Sequence, residues 1–422
     1  MPDRREFLAW LTVAAGAAVA SGCATRAVGA GAGRVVVIGA GYGGATAAKY
    51  VKTWAPDIDV VLIERDERFV SCPLSNLVLG GNAQMSDLTM GYDGLRNRGV
   101  RLVRDEVVAI DPVKREVRLA GGNVFGYDRL IVSPGIDFNY GSIPDLQGDE
   151  ARSRVLHAWK AGPQTVALRK QLEAMRDGGV YVLHIPRAPY RCPPGPYERV
   201  CQVADYFRRA KPKSKIVVLD ANEDIVSKKG LFLAAWNGPY KGMIDYRPGS
   251  ELIGVDPSTL TAKLQFEEVK ADVLNVVPPQ RAGDIARKAG LAAEHGWCEI
   301  DWLTYESARL PGVHVLGDAT LSAPAMPKSA TMANQQAKVC AAAVIALTKG
   351  LPVNSSPMVV NACYSFIDGR QVVHVASVHR YDPAGKTMVT VKGAGGLSEK
   401  ANEMEAAYAW GWARNIWADT LG

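Results

Sequence analysis

The stretch RVVVIGAGYGGATAAKYVKTWAPDIDVVLIERD, residues 34–66, decides the fold. Val35–Ile38 reads as a buried parallel strand, Gly39-x-Gly41-x-x-Gly44 as a turn, and Ala45–Lys52 as the start of a helix. Val60–Ile63 reads as a second strand that ends at Glu64. Each glycine has its own reason. Gly39 permits the tight turn, Gly41 lets the backbone approach a pyrophosphate, and Gly44 lets the helix pack on the strand. Ala40 and Gly43 complete the turn, and the helix N-terminus favours phosphate charge. Glu64, followed by Arg65, stands where an acid binds the ribose hydroxyls of an adenosine. Strand, turn, helix, strand and acid together predict a dinucleotide-binding domain.

Two later segments favour FAD over NAD. LPGVHVLGDAT, residues 310–320, is a strand ending in Gly317-Asp318. It resembles the second flavin motif of flavoproteins with two dinucleotide-binding domains, whose aspartate holds the ribityl chain. YDRLIVSPG, residues 127–135, resembles the segment by which the chain leaves the FAD domain, with Pro134 and Gly135 beside the cofactor. Residues 136–280 have a βα rhythm of their own: GGVYVLHIP is a strand and YERVCQVADYFRRA an amphipathic helix. A nicotinamide domain would place a second glycine-rich loop between them. Here stands Arg187-Ala188-Pro189-Tyr190-Arg191-Cys192-Pro193-Pro194-Gly195. Proline has no N–H to offer a phosphate, so this domain is expected to keep the fold without the nicotinamide.

The expected architecture is α/β: two Rossmann-like domains of the glutathione-reductase type and a smaller α+β C-terminal domain. The first FAD segment spans 34–135, the degenerate nicotinamide-like domain 136–280, the second FAD segment 281–350, and the C-terminal domain 353–422. The last alternates like antiparallel strands, then ends in a helix bearing Tyr408, Trp410, Trp412 and Trp417.

Residues 1–33 read differently. Arg4-Arg5 precedes an apolar run from Phe7 to about Ala20, too short to span a bilayer comfortably. It reads as a twin-arginine export signal, which implies a periplasmic protein. Ala20-Ser21-Gly22-Cys23 resembles a lipoprotein cleavage box, so Cys23 is a candidate lipid anchor beside simple cleavage. The net charge of +6 is mild and no lysine-arginine run suggests nucleic acid. The seven cysteines include no CxxC pair, which argues against a zinc site and predicts no metal. Three carry candidate chemistry: Cys72 after the second strand, Cys192 on the proline-rich loop, and Cys363 at the head of the C-terminal domain. Cys201, Cys298 and Cys340 read as small buried hydrophobes.

CPLSN (72–76), HAWKAGPQT (157–165), RCPPGPYER (191–199), KPKSK (211–215), PPQRAG (278–283), GWC (296–298), MPKS (326–329) and CYS (363–365) occur in one order and spacing. In these the chain resembles the flavoprotein subunit of flavocytochrome c sulfide dehydrogenase, from Arg34 to Gly422. The resemblance implies FAD bound covalently through a Cys72 thioether and a redox-active Cys192–Cys363 disulfide. It places Glu198 near the flavin and Lys328, in the MPKS motif, among the cofactor-binding residues. Pro73 departs from the bulkier residue usual after the flavin cysteine. The implied activity is sulfide oxidation with electrons passed to a c-type cytochrome. No Cys-x-x-Cys-His occurs in this chain, so the haem is expected on a partner subunit. The alternatives are a sulfide:quinone oxidoreductase, or a flavoprotein of a thiosulfate-oxidation system acting on a sulfur-carrier protein. An NADH-dependent disulfide reductase would want the second glycine motif and a CxxxxC pair, and a non-catalytic flavin subunit would not need three placed thiols.

Overall fold

The computed structural model describes residues 33–422. The expected export signal, with Arg4, Arg5 and Cys23, lies outside the described residues. The first sheet is fully parallel, in the order Val313–Val315, Arg129–Val132, Arg34–Ile38, Asp59–Glu64, Arg101–Arg104. Alternation sends its side chains to two separate layers. Val35, Val37, Val60 and Leu62 pack with Ala45, Ala48, Ala337 and Val344 of the helices Tyr42–Trp54 and Ala330–Lys349. Val36, Ile38, Val61 and Ile63 join the larger core that continues into the middle of the chain. The first helix begins at Tyr42, inside the glycine motif, three residues before its apolar run suggests.

The second sheet is also parallel, in the order Ile244–Arg247, Lys215–Asp220, Val180–Ile185, Val273–Val276. The helix Gly195–Ala210 follows Val180–Ile185, and it departs from the amphipathic reading. Every residue from Gly195 to Phe207 is buried, including Glu198, Arg199, Gln202 and Asp205. The polar stripe faces other parts of the chain rather than water. Its groups are satisfied there: Gln202 donates to the Phe366 and Asp368 carbonyls at 3.1 and 3.0 Å.

The C-terminal part is a three-stranded antiparallel meander, Met358–Phe366, Val372–Asp382 and Thr387–Leu397, closed by the helix Glu403–Leu421. Asn402 caps that helix by accepting from the Glu405 amide. The tail returns to the first glycine turn. Lys49 donates to the Ala418 and Asp419 carbonyls, each at 2.9 Å, and Trp417 donates to the Tyr42 hydroxyl at 2.9 Å.

Candidate functional site

The carboxyl ends of the first sheet, the proline-rich loop and the C-terminal meander enclose one cavity of about 750 Å³. The glycine turn shows why each glycine is needed. A Cβ on Gly39, whose φ is +88°, would lie 2.4 Å from the Ser133 carbonyl oxygen. A Cβ on Gly44 would lie 1.8 Å from the Gly39 carbonyl oxygen, and one on Gly43 2.3 Å from Leu316. A Cβ on Gly41 would meet nothing within 4 Å, so this glycine faces open cavity. Gly44→Ala should therefore destabilise the fold itself. Gly41→Val should leave circular dichroism and thermal midpoint unchanged while costing at least about 1–3 kcal/mol of dinucleotide binding. Flavin absorbance of the purified variants checks both.

Glu64 accepts the Ala40 amide at 2.6 Å and the Asp66 amide at 2.9 Å, which fixes the carboxylate beside the turn. Arg65 is solvent-facing and pairs with Glu106 at 3.5 Å. Both line the cavity, as do Gly39, Ala40, Gly41, Gly43, Pro134, Gly135, Gly317 and Asp318. Asp318 Oδ1 is buried with no hydrogen-bond partner. Burial holds its carboxyl above the usual range, against the pull of Arg191 and Lys328. An orphaned acceptor on the cavity wall fits a polyhydroxyl chain. With the open face at Gly41, it makes the residues present a fit for FAD.

Lys328 does not line the cavity. It lies behind Asp318, donating to the Asp318 and Thr320 carbonyls, with its ammonium 3.9 Å from the Trp297 ring centre. Burial lowers its pKa to about 8. Its place is therefore structural support for the Gly317–Thr320 turn. Gly44 likewise sits in the helix–strand contact rather than on the wall.

Cys72, Cys192, Cys363 and Glu198 all line the same cavity. Cys192 and Cys363 are both part-buried, each with its side chain on the cavity wall. Cys192 has a left-handed backbone, φ +57°, held by Cys192 N–H on the Lys328 carbonyl and Gly195 N–H on the Cys192 carbonyl, each at 2.8 Å. Gly195 must stay small, because a Cβ there would sit 2.9 Å from the Cys192 sulfur and 3.0 Å from Trp159. Burial pushes the Cys192 thiol well up, and the nearby charges of Cys363 and Glu198 add to it. Burial also raises Cys363. The Glu198 carboxyl is raised by burial, although it accepts from the Phe366 amide and from Asn76 Nδ2, each at 2.8 Å. Cys201, Cys298 and Cys340 are fully buried packing residues.

The proline-rich loop is unfit for a second pyrophosphate. Pro193, Pro194 and Pro196 carry no N–H, and the Gly195 N–H is already spent on Cys192. Other wall residues escaped the sequence reading. Trp159 has a buried indole N–H without a partner, Arg191 reaches back to the Trp159 carbonyl, and Trp412 comes from the last helix. Trp412 pairs with Tyr364 at 6.0 Å and Trp410 with Phe366 at 6.3 Å, so this part of the aromatic tail is turned inward.

Two parallel Rossmann-like sheets beside a flavin-fitting cavity define a two-domain flavin oxidoreductase, and residues 33–172 match the pyridine nucleotide-disulphide oxidoreductase model. Residues 165–278 match the central part of the sulfide dehydrogenase [flavocytochrome c] flavoprotein chain, and residues 355–421 the flavin-binding part of flavocytochrome c sulphide dehydrogenase. The chain belongs to the flavocytochrome c sulfide dehydrogenase flavoprotein family. It is 53% identical over 45 residues to the sulfide dehydrogenase flavoprotein chain of Chlorobaculum thiosulfatiphilum, which covers 11% of this chain and 94% of that sequence. It is 24% identical to the mitochondrial sulfide:quinone oxidoreductase of Mus musculus, over 71% of this chain and 68% of that one. Among solved structures, the sulfide:quinone oxidoreductase of Aquifex aeolicus shares the fold with a TM-score of 0.72 at 16% identity, covering 92% of this chain and 91% of that one.

Proposed function

We propose that this protein oxidises sulfide through the Cys192–Cys363 pair and passes the electrons, by way of FAD, to a c-type cytochrome subunit. The observation that carries the reading is three thiols, Cys72, Cys192 and Cys363, on the wall of the cavity that opens from the glycine turn. Cys72 is assigned to the covalent flavin link and Asp318 to the ribityl hydroxyls. Glu64 is assigned to the adenosine ribose, with Arg65 beside it. Ala40, Gly41 and Gly43 flank the pyrophosphate, and Pro134, Gly135 and Gly317 border the ring. The reading of residues 1–33 as a twin-arginine export signal supports a periplasmic site for the reaction.

With the pair oxidised, hydrosulfide attacks one sulfur of the disulfide. One cysteine becomes a persulfide and the other leaves as a thiolate. Glu198, buried beside the pair, is placed to hold the proton released as sulfide is consumed. FAD, when bound, supplies a two-electron acceptor that returns electrons one at a time. Gly195 keeps room for the Cys192 sulfur, and Trp159 and Trp412 line the same cavity. A further hydrosulfide takes the outer sulfur as the persulfide S–S bond breaks, so sulfur leaves as polysulfide, and the two cysteine thiolates left behind would return to the disulfide by giving two electrons to FAD.

An anaerobic titration tests this. Flavin absorbance should bleach with about one equivalent of sulfide per oxidised pair, and NADH should have no effect, because the second loop has no phosphate cradle. Bleaching by NADH alone would overturn the reading. Quinone as acceptor is the second reading, favoured by the 24% identity to a sulfide:quinone oxidoreductase over 319 residues. Among the described residues no helix is long and apolar enough to cross a membrane. Trp417 is tied to the Tyr42 hydroxyl and Trp412 to the Tyr364 ring, while Met404 and Tyr408 of the same helix stay exposed. Turnover with a c-type cytochrome and not with a short-chain quinone supports the first reading, and the reverse selects the second.

A further inference from the structure

The disulfide mechanism proposed above, on which this inference rests, brings a negative charge into a site that already holds the buried Glu198 carboxyl. One buried cation faces that site. Lys228 is 5% exposed and stands at the head of the helix Lys229–Asn237. Its ammonium donates to the Cys363 carbonyl at 2.8 Å, to Ser365 Oγ at 2.9 Å and to the Val373 carbonyl at 3.2 Å. All three acceptors are neutral, and no carboxylate pairs with it among the described residues. The next residue, Lys229, is exposed and pairs with Asp224. An ammonium buried without a fixed anion is costly. Covalent geometry keeps a cysteine sulfur within about 5 Å of its own carbonyl oxygen, so this ammonium lies within about 8 Å of Cys363 Sγ. The other charges near the pair are engaged elsewhere. Arg191 donates to the Trp159 carbonyl, and Arg199 to the His157 and Ala158 carbonyls. Glu198 accepts from the Phe366 amide on the same strand, and Glu405 from Ser398 and His374.

We propose that Lys228 is a positioning residue for the sulfide reaction: its ammonium, fixed on the Cys363 backbone, holds the negative charge that hydrosulfide brings and that the opened Cys192–Cys363 pair retains. In that step the disulfide S–S bond breaks and the persulfide S–S bond forms. The charge of the incoming anion ends on the released thiolate, so the step needs no outside oxidant or reductant. The closed disulfide is neutral. The attraction therefore grows as the bond opens, and it lowers the barrier rather than tightening the ground state. A unit charge about 8 Å away, at an effective dielectric of about 20, favours the thiolate by at least about tenfold.

The test is the pH profile of flavin reduction by sulfide. Flavin-loaded, oxidised full-length protein is mixed with sulfide under anaerobic conditions as wild type, Lys228→Met and Lys228→Arg, and each rate is expressed per hydrosulfide present. Burial lowers the Lys228 pKa to about 8. The wild-type rate should therefore fall as pH rises through about 8, where the ammonium loses its proton; the cysteines do not titrate while the disulfide is closed. Lys228→Met should be at least about tenfold slower below that pH, with no fall near it. Lys228→Arg should keep the rate within about threefold and also lose the fall, because a guanidinium stays protonated. A side chain that only braced the strand Met358–Phe366 would lower the thermal midpoint without moving the profile. Lys228→Met at the wild-type rate would overturn the proposal. So would a fall that persists in Lys228→Arg, which would belong to Lys328, also lowered to about 8. If Lys228→Met does not fold, the Lys228→Arg profile decides alone. A wild type that sulfide does not bleach refutes the disulfide mechanism itself, a result distinct from failure of the lysine role.

Discussion

Cys363→Ser should lose sulfide-driven flavin reduction by at least about a thousandfold, because it removes one of the two sulfurs of the proposed disulfide. A serine cannot be half of a disulfide, so hydrosulfide has no S–S bond to cleave. Cys192→Ser should do the same, and the double variant should be little worse than either alone, since the two act as a unit. FAD should stay bound in all three, because Cys72, the glycine turn and Asp318 are untouched. Cys340→Ala is the control. Its side chain is fully buried in the helix Ala330–Lys349, and its loss should change stability rather than rate. Stopped-flow absorbance under anaerobic conditions reads all four proteins. A Cys363→Ser variant that bleaches at the wild-type rate would remove the pair from the mechanism, and the flavin would have to react with sulfide directly.

The parts legible in the sequence are those in which one residue type is forced by backbone geometry. Gly39 and Gly44 cannot carry a Cβ where they stand, and Gly41 leaves its space open to the cavity. Those three needs leave a spaced pattern that no composition effect produces. The prolines of the second loop are legible for the reverse reason, since a missing N–H is a property of the residue itself. What was not legible depends on which face of an element meets another. The helix Gly195–Ala210 has the periodicity of a half-exposed helix, but its polar stripe is buried against Asn76, Asn82 and the segment around residue 157. Lys328 stands near the flavin motif in sequence, yet its amine turns toward two carbonyls behind Asp318. Trp412 reaches the cavity only because the tail folds back over the first helix, a contact between residues more than 360 positions apart. Periodicity reports how polar a face is, not what covers it.

Arg199 turns that hidden stripe into the second large expected effect. Its side chain is 2% exposed and donates to four acceptors. These are Asn76 Oδ1 at 3.1 Å, the His157 carbonyl and Asn275 Oδ1 at 2.8 Å each, and the Ala158 carbonyl at 2.6 Å. Its guanidinium carbon lies 4.8 Å from the Trp159 ring centre. Arg199→Met fills similar volume but orphans those acceptors and leaves the buried Glu198 with Lys228 as its remaining nearby cation. The cost should be at least about 3 kcal/mol, as for other buried charges stripped of a partner, read as a lowered thermal midpoint. Arg199→Lys should recover only part of this, because an ammonium has three donors and no planar fork. The effect should also reach the site, since Arg199 pins the backbone at 157–158, from which Trp159 and the Ala161 N–H extend to the cavity and to Cys72. A mainly mechanical role predicts that Arg199→Lys loses flavin affinity and thermal stability together while the sulfide reaction of the flavin that remains bound keeps its rate. If the bound flavin instead reacts more slowly at unchanged stability, Arg199 acts on the Glu198–cysteine cluster through its charge, and the architectural assignment is wrong.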